Sequence, residues 1–552
     1  MAVELPLTSP ERAARYRRLG IWRDDTIWER FRAAAARVPE KTAIVEERQR
    51  LTYGELRRRV DDLAGNLLDL GVARGDVVAI QAWNCAELPL LHLALNRIGR
   101  LFMPLHDSWR HTELRHLLRK SRARAVVIPG QYRGFDHAAM LAELRDELPD
   151  LEHVFVLGGA APGCRAFEER RAPTRRSGSD LDAERPDPDL PASIMMSGGT
   201  TALSKISRFS SNDLLTMLDH FATSVGLRED DVAAALAPAG TGATGYIYPI
   251  LTPLLHGATS TILKRWGDPA DAIDWVLRHR CTYLTAIPTQ VTLMVPVLEK
   301  HRPEEFEAFR FLFATGSGMP AEVARAAERL MGCIVQTNYG STDGGVPVHT
   351  TVNDPPEKRT STVGRVVSGC ECEIRDADGK RLPAGEPGEV VWRGADKSWG
   401  YLGDDDETAA TFTRDGFYKS GDVGVFDEDG YLRIVGRIKD MILRGGRNIS
   451  PRTIEDLLIR HPAVVEVAVA AMPDPTLGER ACAFVMLRPG ARLAFEEMVA
   501  FLKEQEIAIW QLPERLEIVG DFPRGAGGKI VKKQLTEMVT KKLQAEKQSC
   551  AS

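Results

Sequence analysis

The sequence predicts an α/β protein: a large doubly wound N-terminal domain, a small β-barrel, and a small α+β module at the C-terminus. Three observations predict it. Apolar strand-like runs alternate with amphipathic helical stretches from residue 51 onward, the order expected of a mostly parallel sheet covered by helices. Between residues 363 and 435, short apolar runs are separated by glycine turns, which is barrel-like spacing. Beyond residue 439 helix and strand patterns alternate once more, over a length that suits one small domain of about 100 residues.

Residues 1 to 50 read as helical and charged, with Ile21-Trp22 as a docking anchor. A helix opens at Leu51-Thr-Tyr-Gly-Glu-Leu56 and runs to Leu70; Asp76 to Ile80 is a buried strand, and Glu87 to Arg97 is the next helix. Arg100 to Pro104 is a second strand, followed by a basic helix and the strand Ala125 to Ile128. Residues 159 to 190 are rich in Gly, Pro, Arg and Asp without periodicity and read as an exposed loop. Further strands are expected at Ala192 to Met196, Val232 to Ala237, Tyr283 to Ile287, Phe311 to Ala314 and Ile334 to Gln336. The barrel strands are Gly364-Arg-Val, Cys370 to Ile374, Gly388 to Trp392 and Phe426 to Ile434. In the last module Pro451 to Arg460 and Phe495 to Gln505 read as helices, and Val464 to Ala470 and Cys482 to Leu487 as strands. The tail from Glu537 reads as solvated or frayed.

Composition excludes several classes. The chain has 552 residues and a formal net charge of −5, so neither a nucleic acid nor an acidic membrane is an expected partner. Its eight cysteines are scattered, and Cys370 and Cys372 lack a second pair to complete a zinc site. That pattern fits a reduced, intracellular chain. No apolar signal core and no run of membrane-spanning length is present, so a cytoplasmic protein is expected. His106, His111 and His116 are spaced by five, which misses a single helix face, and read as neutral surface histidines.

Several stretches carry chemistry. In Gly436-Arg-Ile-Lys-Asp-Met-Ile-Leu-Arg-Gly-Gly446, Arg437 sits at a strand end, where a fixed guanidinium suits a hydroxyl or phosphate. Lys439-Asp440 is a charged break where the chain can pivot, and Gly445-Gly446 lets backbone approach a ligand. Ser450-Pro451 reads as an N-cap and first helical position. A surface turn and a helix start explain these residues equally well. Ser197-Gly-Gly-Thr-Thr-Ala-Leu-Ser-Lys205 offers backbone N–H groups, hydroxyls and a lysine to a polyphosphate. It is not a Walker loop, because Ser204 stands where the second glycine must be. A polar surface loop is its alternative. Gly240-Thr-Gly-Ala-Thr-Gly245, with Asp268 downstream, fits a dinucleotide fingerprint, but Pro249 and Pro253 interrupt the helix that must follow. In Asn338-Tyr-Gly-Ser-Thr-Asp343, Tyr339 offers a ring to a purine, Thr342 a hydroxyl to a phosphate, and Asp343 an oxygen to Mg²⁺. Tyr418-Lys-Ser-Gly-Asp422 offers a turn carboxylate, and Pro523-Arg-Gly-Ala-Gly-Gly-Lys529 a lysine on a glycine-rich turn.

Taken together and in this order, these motifs resemble the adenylate-forming superfamily of acyl- and aryl-CoA synthetases, adenylation domains and luciferases. The likeness runs from Leu51 to Lys529. The opening, Glu11-Arg-Ala-Ala-Arg-Tyr16 and Trp22, is most similar to cyclohexanecarboxylate-CoA and dihydroxybenzoate-AMP ligases. The resemblance implies two doubly wound sheets and a barrel in residues 1–438, with a mobile C-terminal domain in 439–552. It implies ATP and AMP contacts at Ser197, Gly198, Gly199, Thr200, Thr201 and Lys205, at Gly316 and Ser317, at Asn338, Tyr339, Gly340 and Thr342, and at Asp422 and Arg437. It also implies Lys529 as the catalytic lysine, Lys439 as the hinge, and Gly445, Gly446 and Arg447 lining a coenzyme A channel. Thr241, Gly242, Tyr246, Gly344 and Val346 would line the acyl pocket, with Mg²⁺ at Asp343. The sequence departs from the family at Ala202 and Ser204 in the phosphate loop, and at Asp343, where Glu is usual. The expected activity is ATP-dependent ligation of a compact cyclic or aromatic acid to coenzyme A. Loading of a carrier protein and a catalytically silent nucleotide-binding relative are the alternatives. A monomer or homodimer is expected.

Overall fold

A computed structural model describes residues 8–159, 161–196, 204–398, 400–525 and 528–551. Two large sheets form the body of the N-terminal domain. The first runs, in spatial order, Ile206–Ser210, Pro191–Met196, Leu101–Leu105, Val77–Gln81, Ala125–Pro129, His153–Leu157, Arg165–Ala166. All neighbours are parallel except the first pair. Its three central strands are buried at every residue, which is why they read as unbroken apolar runs. The second sheet has nine strands, with Val232–Ala235 and its neighbours in a parallel centre and antiparallel strands at both edges.

Helices Tyr53–Asp69 and Glu87–Arg97 pack into the core shared by the two sheets. The first starts at a capping box: Glu55 N–H donates to the Thr52 hydroxyl at 3.2 Å, and Thr52 N–H to the Glu55 carboxylate at 2.8 Å. Trp22 anchors the N-terminal segment as expected, buried with its indole N–H donating to Ala395 O at 3.1 Å.

Four sequence expectations are corrected. The first 50 residues are not all helical, because Thr42–Val45 and Arg50–Thr52 add edge strands; a short β-branched run fits a pleated edge better than a helix. Residues 159 to 190 are more than an exposed loop, since Phe167 and Leu181 are buried anchors. The small sheet is four antiparallel strands in the order Glu371–Arg375, Gly388–Arg393, Tyr418–Phe426, Leu432–Arg437, while Arg365–Val366 joins the nine-stranded sheet instead. The tail from Glu537 belongs to the helix Lys532–Ala551; Leu535 and Val539, four residues apart, lie buried against the strands of the C-terminal sheet.

The strand Leu432–Arg437 runs into a 3₁₀ turn, Ile438–Asp440, and from there into the C-terminal sheet. Ser450 precedes helix Pro451–Leu458, yet its hydroxyl does not cap it. It donates instead to Val435 O at 2.6 Å, tying the helix start back to the strand before the turn.

Candidate active site

The site is built at the strand ends of the nine-stranded sheet. Phe311–Ala314 ends at Thr315, then Gly316, whose φ of +97° suits glycine. The neighbouring strand is longer than its apolar core predicts and continues through Ile334–Ser341, so Asn338 to Gly340 belong to a strand. The Thr315 hydroxyl donates to Asn338 Oδ1 at 2.5 Å, and Asn338 Nδ2 donates to the Tyr248 hydroxyl at 2.9 Å. Asn338 is therefore fixed by buried partners, while Gly316 and Ser317 stay exposed beside it. Gly340 can only be glycine: a Cβ would lie 2.3 Å from Gly345 O.

Asp422 lies in the strand Tyr418–Phe426 rather than in a turn, and it pairs directly with Arg437. Arg437 Nε donates to Asp422 Oδ1 at 2.6 Å, and the Tyr339 hydroxyl donates to Oδ2 at 2.7 Å. Tyr339 is braced from the side by Trp392, ring centroids 5.4 Å apart. The carboxylate expected to hold ribose thus has a charged and a neutral donor that fix its plane.

Asp343 is 6% exposed. Its Oδ2 accepts from the Tyr401 hydroxyl at 2.5 Å and its Oδ1 from the Tyr418 hydroxyl at 3.1 Å. Burial and the adjacent carboxylate push both tyrosines far above their ordinary range, so both remain donors. Each carboxylate oxygen keeps a lone pair beyond its tyrosine. One carboxylate oxygen, completed by phosphate oxygens and water, is a donor set that fits Mg²⁺. Tyr401 was not singled out from the sequence, although Gly400-Tyr-Leu-Gly403 frames it between glycines. Its ring also lies under the Lys205 ammonium, 4.8 Å away.

Lys205 forms an ion pair with Glu407, on the helix Asp405–Thr411. Glu407 is likewise a residue that the sequence reading missed. Ser197, Gly198, Gly199, Thr200 and Thr201 lie outside the described residues.

Lys529 comes from the C-terminal domain and feels the charges of Arg437, Asp422 and Asp343. Burial and the Arg437 guanidinium depress its ammonium below the ordinary lysine range, and the Asp422 and Asp343 carboxylates oppose that shift. The residue retains solvent exposure. Its turn is held by Arg524, which pairs with Glu466 at 2.5 Å and reaches Thr289 of the N-terminal domain at 3.4 Å. Beside it Gly528, at φ +73°, lies so close to Ile287 that a Cβ would stand 2.5 Å from its Cδ1. Arg452 Nη2 donates to Met319 O at 3.2 Å, a second bond between the domains.

The expected pocket residues divide. Gly242 has φ +69° and nothing within 4 Å of a Cβ position, so open space lies beside it. Thr241 is turned back, donating to Pro238 O at 2.6 Å. Gly344 is wedged between Ser341, Trp392 and Tyr418, its carbonyl accepting from Trp392 Nε1 at 2.6 Å; Val346 follows, buried. Tyr246 is corrected. It is 1% exposed in the core, its hydroxyl 2.9 Å from His92 Nδ1, because the chain winds through a π-helix, Ala243–Leu251, that turns the ring inward. That helix accommodates Pro249, and Thr252–His256 continues with Pro253 in its first turn, so the prolines do not interrupt it. The dinucleotide reading fails for another reason. A Cβ at Gly240 would lie 2.4 Å from His106 Cα and one at Gly245 2.0 Å from Pro238 O, so these glycines serve packing, and Asp268 caps its own helix.

Lys439 occupies the 3₁₀ turn between the domains. Gly445 and Gly446, at φ +54° and +79°, form the hairpin turn between Ile442–Arg444 and Arg447–Ile449. Gly445 N–H donates to Leu477 O at 2.8 Å, and the Arg447 guanidinium lies 5.5 Å from the Trp510 ring. No helix among the described residues is long and apolar enough to cross a membrane.

The profile of the AMP-binding enzyme family matches residues 31–402, and that of the AMP-binding enzyme C-terminal domain matches residues 453–529. A medium-chain fatty-acid–CoA ligase of Escherichia coli (strain K12) is 32% identical, covering 98% of this chain and 95% of its own length. A 2,3-dihydroxybenzoate-AMP ligase of Bacillus subtilis (strain 168) is 31% identical, covering 97% of each. The crystal structure of ATP-bound MatB from Rhodopseudomonas palustris superposes with a TM-score of 0.83 at 25% identity, over 93% of this chain and 99% of that one.

Proposed function

The chain belongs to the AMP-binding enzyme family, and on that premise we propose that it activates a compact cyclic or aromatic carboxylic acid as its acyl-adenylate. It then passes the acyl group to the thiol of coenzyme A, releasing AMP; pyrophosphate leaves in the first step. What supports this reading is that the residues flanking Lys529 contact the N-terminal domain, Arg524 reaching Thr289 at 3.4 Å and Gly528 lying beside Ile287, and that Lys529 feels the charges of Arg437, Asp422 and Asp343.

A carboxylate resists attack by a thiol because oxide would have to leave. Joining it to AMP supplies a leaving group. One carboxylate oxygen attacks the α-phosphorus of ATP, and the bond to the β-phosphate oxygen breaks in line. Negative charge grows on the α-phosphate and on the departing pyrophosphate, so the protein acts chiefly by positioning and by fixed charge. Lys529 orients the acid and stabilises the α-phosphate. Asp422, aligned by Arg437 and Tyr339, accepts from the ribose hydroxyls. Thr342 donates to the α-phosphate, and Lys205, with Ser197 to Thr201, holds the leaving end. Asp343, held by Tyr401 and Tyr418, is the group that would hold Mg²⁺, which supplies charge neutralisation to the polyphosphate.

In the second step the thiol must reach the carbonyl carbon, and the Lys529 turn stands in the way. Rotation about Lys439 withdraws that turn and brings Gly445, Gly446 and Arg447 toward the site, a hinge change between two working states. The Arg524, Arg452 and Ser450 contacts described above hold the first of these states.

The open space beside Gly242 supports a ring-sized acid. A second reading, transfer to a carrier protein's phosphopantetheine thiol, is supported by the likeness to a dihydroxybenzoate-AMP ligase. Pyrophosphate release across a panel of carboxylic acids, with and without coenzyme A, tests both. Turnover with one cyclic acid and coenzyme A is expected. A single stoichiometric burst that coenzyme A leaves unchanged favours the carrier, and turnover only with linear acids overturns the substrate class.

A further inference from the structure

We propose that His220, Cys370 and Asp396 form a binding site for a zinc-class divalent ion, separate from the Asp343 site. The three come from distant parts of the chain: the helix Ser211–Val225, the residue just before strand Glu371–Arg375, and the residues just after strand Gly388–Arg393. Among the described residues this is the one His/Cys/Asp/Glu group whose ligand atoms all lie within 4.8 Å of one another.

The geometry fits an ion with short bonds. Asp396 Oδ2 lies 3.8 Å from His220 Nδ1, its other oxygen, Oδ1, accepts from the Cys370 thiol at 3.4 Å, and one ligand atom from each residue falls within a 4.8 Å span. Tetrahedral zinc with bonds of about 2.0 to 2.3 Å sets its ligand atoms roughly 3.3 to 3.7 Å apart. Closing the set from its 4.8 Å span to that spacing takes side-chain movements of up to about 1 Å at His220 and Cys370.

The chemistry fits as well. His220 Nε2 lies 2.9 Å from Ser368 O, so that nitrogen carries the hydrogen and donates it. Nδ1 is buried without a hydrogen-bond partner and faces, at 3.8 Å, a carboxylate that is itself 0% exposed. A nitrogen and a carboxylate facing each other in a buried space call for a cation between them, either a proton on Nδ1 or a metal ion. A histidine whose second nitrogen is anchored on a backbone carbonyl is the usual arrangement of a metal ligand. Imidazole, thiolate and carboxylate together select zinc over magnesium, which prefers oxygen alone. Binding converts the Cys370 thiol to thiolate and releases its proton to solvent.

The site would brace the catalytic strand. Asp396 Oδ2 also accepts from Val346 N at 2.9 Å, so an ion here fixes the backbone three residues beyond Asp343. The His349 ring lies 6.3 Å from that of His220, and its two nitrogens are buried with no hydrogen-bond partner.

The test uses the full chain, stripped with a chelator and dialysed against micromolar Zn²⁺ or Co²⁺. One zinc per chain by elemental analysis, a thiolate-to-Co²⁺ charge-transfer band and a raised Tm are expected. Cys370→Ser and Asp396→Asn should each weaken zinc binding about a hundredfold and abolish the band or shift it. Cys372→Ser should leave both unchanged and controls for other thiols. Wild-type protein that retains no zinc or gives no thiolate band overturns the proposal. So does zinc binding that survives unchanged in folded Cys370→Ser, as judged by circular dichroism.

Discussion

Arg437 and Asp422 face each other as a directly paired couple on adjacent strands, Nε to Oδ1 at 2.6 Å, at the last register pair before the chain enters the 3₁₀ turn Ile438–Asp440. The same arginine lowers the affinity of Lys529 for its proton. In the proposed mechanism, the ribose-binding carboxylate, its arginine and the catalytic lysine are thus electrostatically coupled.

Replacing Asp422 by Asn keeps the shape but loses the charge that aligns Arg437 and would accept from ribose. Charge-assisted hydrogen bonds of this kind are worth about 1.5 to 3 kcal/mol each. KM for ATP should therefore rise about 10- to 100-fold, with Tm little changed because the pair is half exposed on the arginine side. Steady-state pyrophosphate release at varied ATP measures it; an unchanged KM removes Asp422 from the nucleotide site.

Tyr401→Phe removes the hydroxyl that donates to Asp343 Oδ2. Loss of an outer-shell partner typically weakens metal affinity 10- to 100-fold. The Mg²⁺ concentration for half-maximal adenylation should rise by about that factor, and saturating Mg²⁺ should restore the rate. A lower rate at every Mg²⁺ concentration would assign Tyr401 a role through Lys205 instead.

In the proposed mechanism Lys529 acts as an ammonium, the form present below its pKa. Burial and Arg437 lower that pKa, so the charged form is lost as pH rises earlier than for a free lysine at about 10.4. The alkaline limb of kcat/KM for adenylation should fall below that value. Lys529→Arg, where it retains activity, should move the limb to higher pH. A profile flat to pH 10.4 contradicts the assignment.

Local pattern made much of this legible. Glu87 to Arg97 is a helix with the bounds its apolar spacing predicts, and Phe311 to Ala314 is the strand read from its run. Asp422 and Arg437 were legible as two separate motifs, and the structure pairs them on adjacent strands. What was not legible arises from contacts between distant segments. Tyr401 reaches Asp343, Glu407 reaches Lys205, and Cys370 meets His220 and Asp396, and no local periodicity encodes any of these. Ser450 looks like a cap from its neighbours, yet the nearby Val435 carbonyl takes its hydroxyl. Tyr246 looked like a pocket wall because nothing in the sequence announces the π-helix that turns it inward.

In the proposed mechanism one lysine serves the first half-reaction alone and is carried away for the second. The direct measurement is to assay the two half-reactions of Lys529→Ala separately: pyrophosphate release from acid and ATP, and thioester formation from supplied acyl-adenylate and coenzyme A. Adenylation should fall about 100- to 1,000-fold, with thioester formation close to wild type; Lys439→Pro, by stiffening the pivot, should show the reverse. Equal loss of both half-reactions in Lys529→Ala would contradict the account.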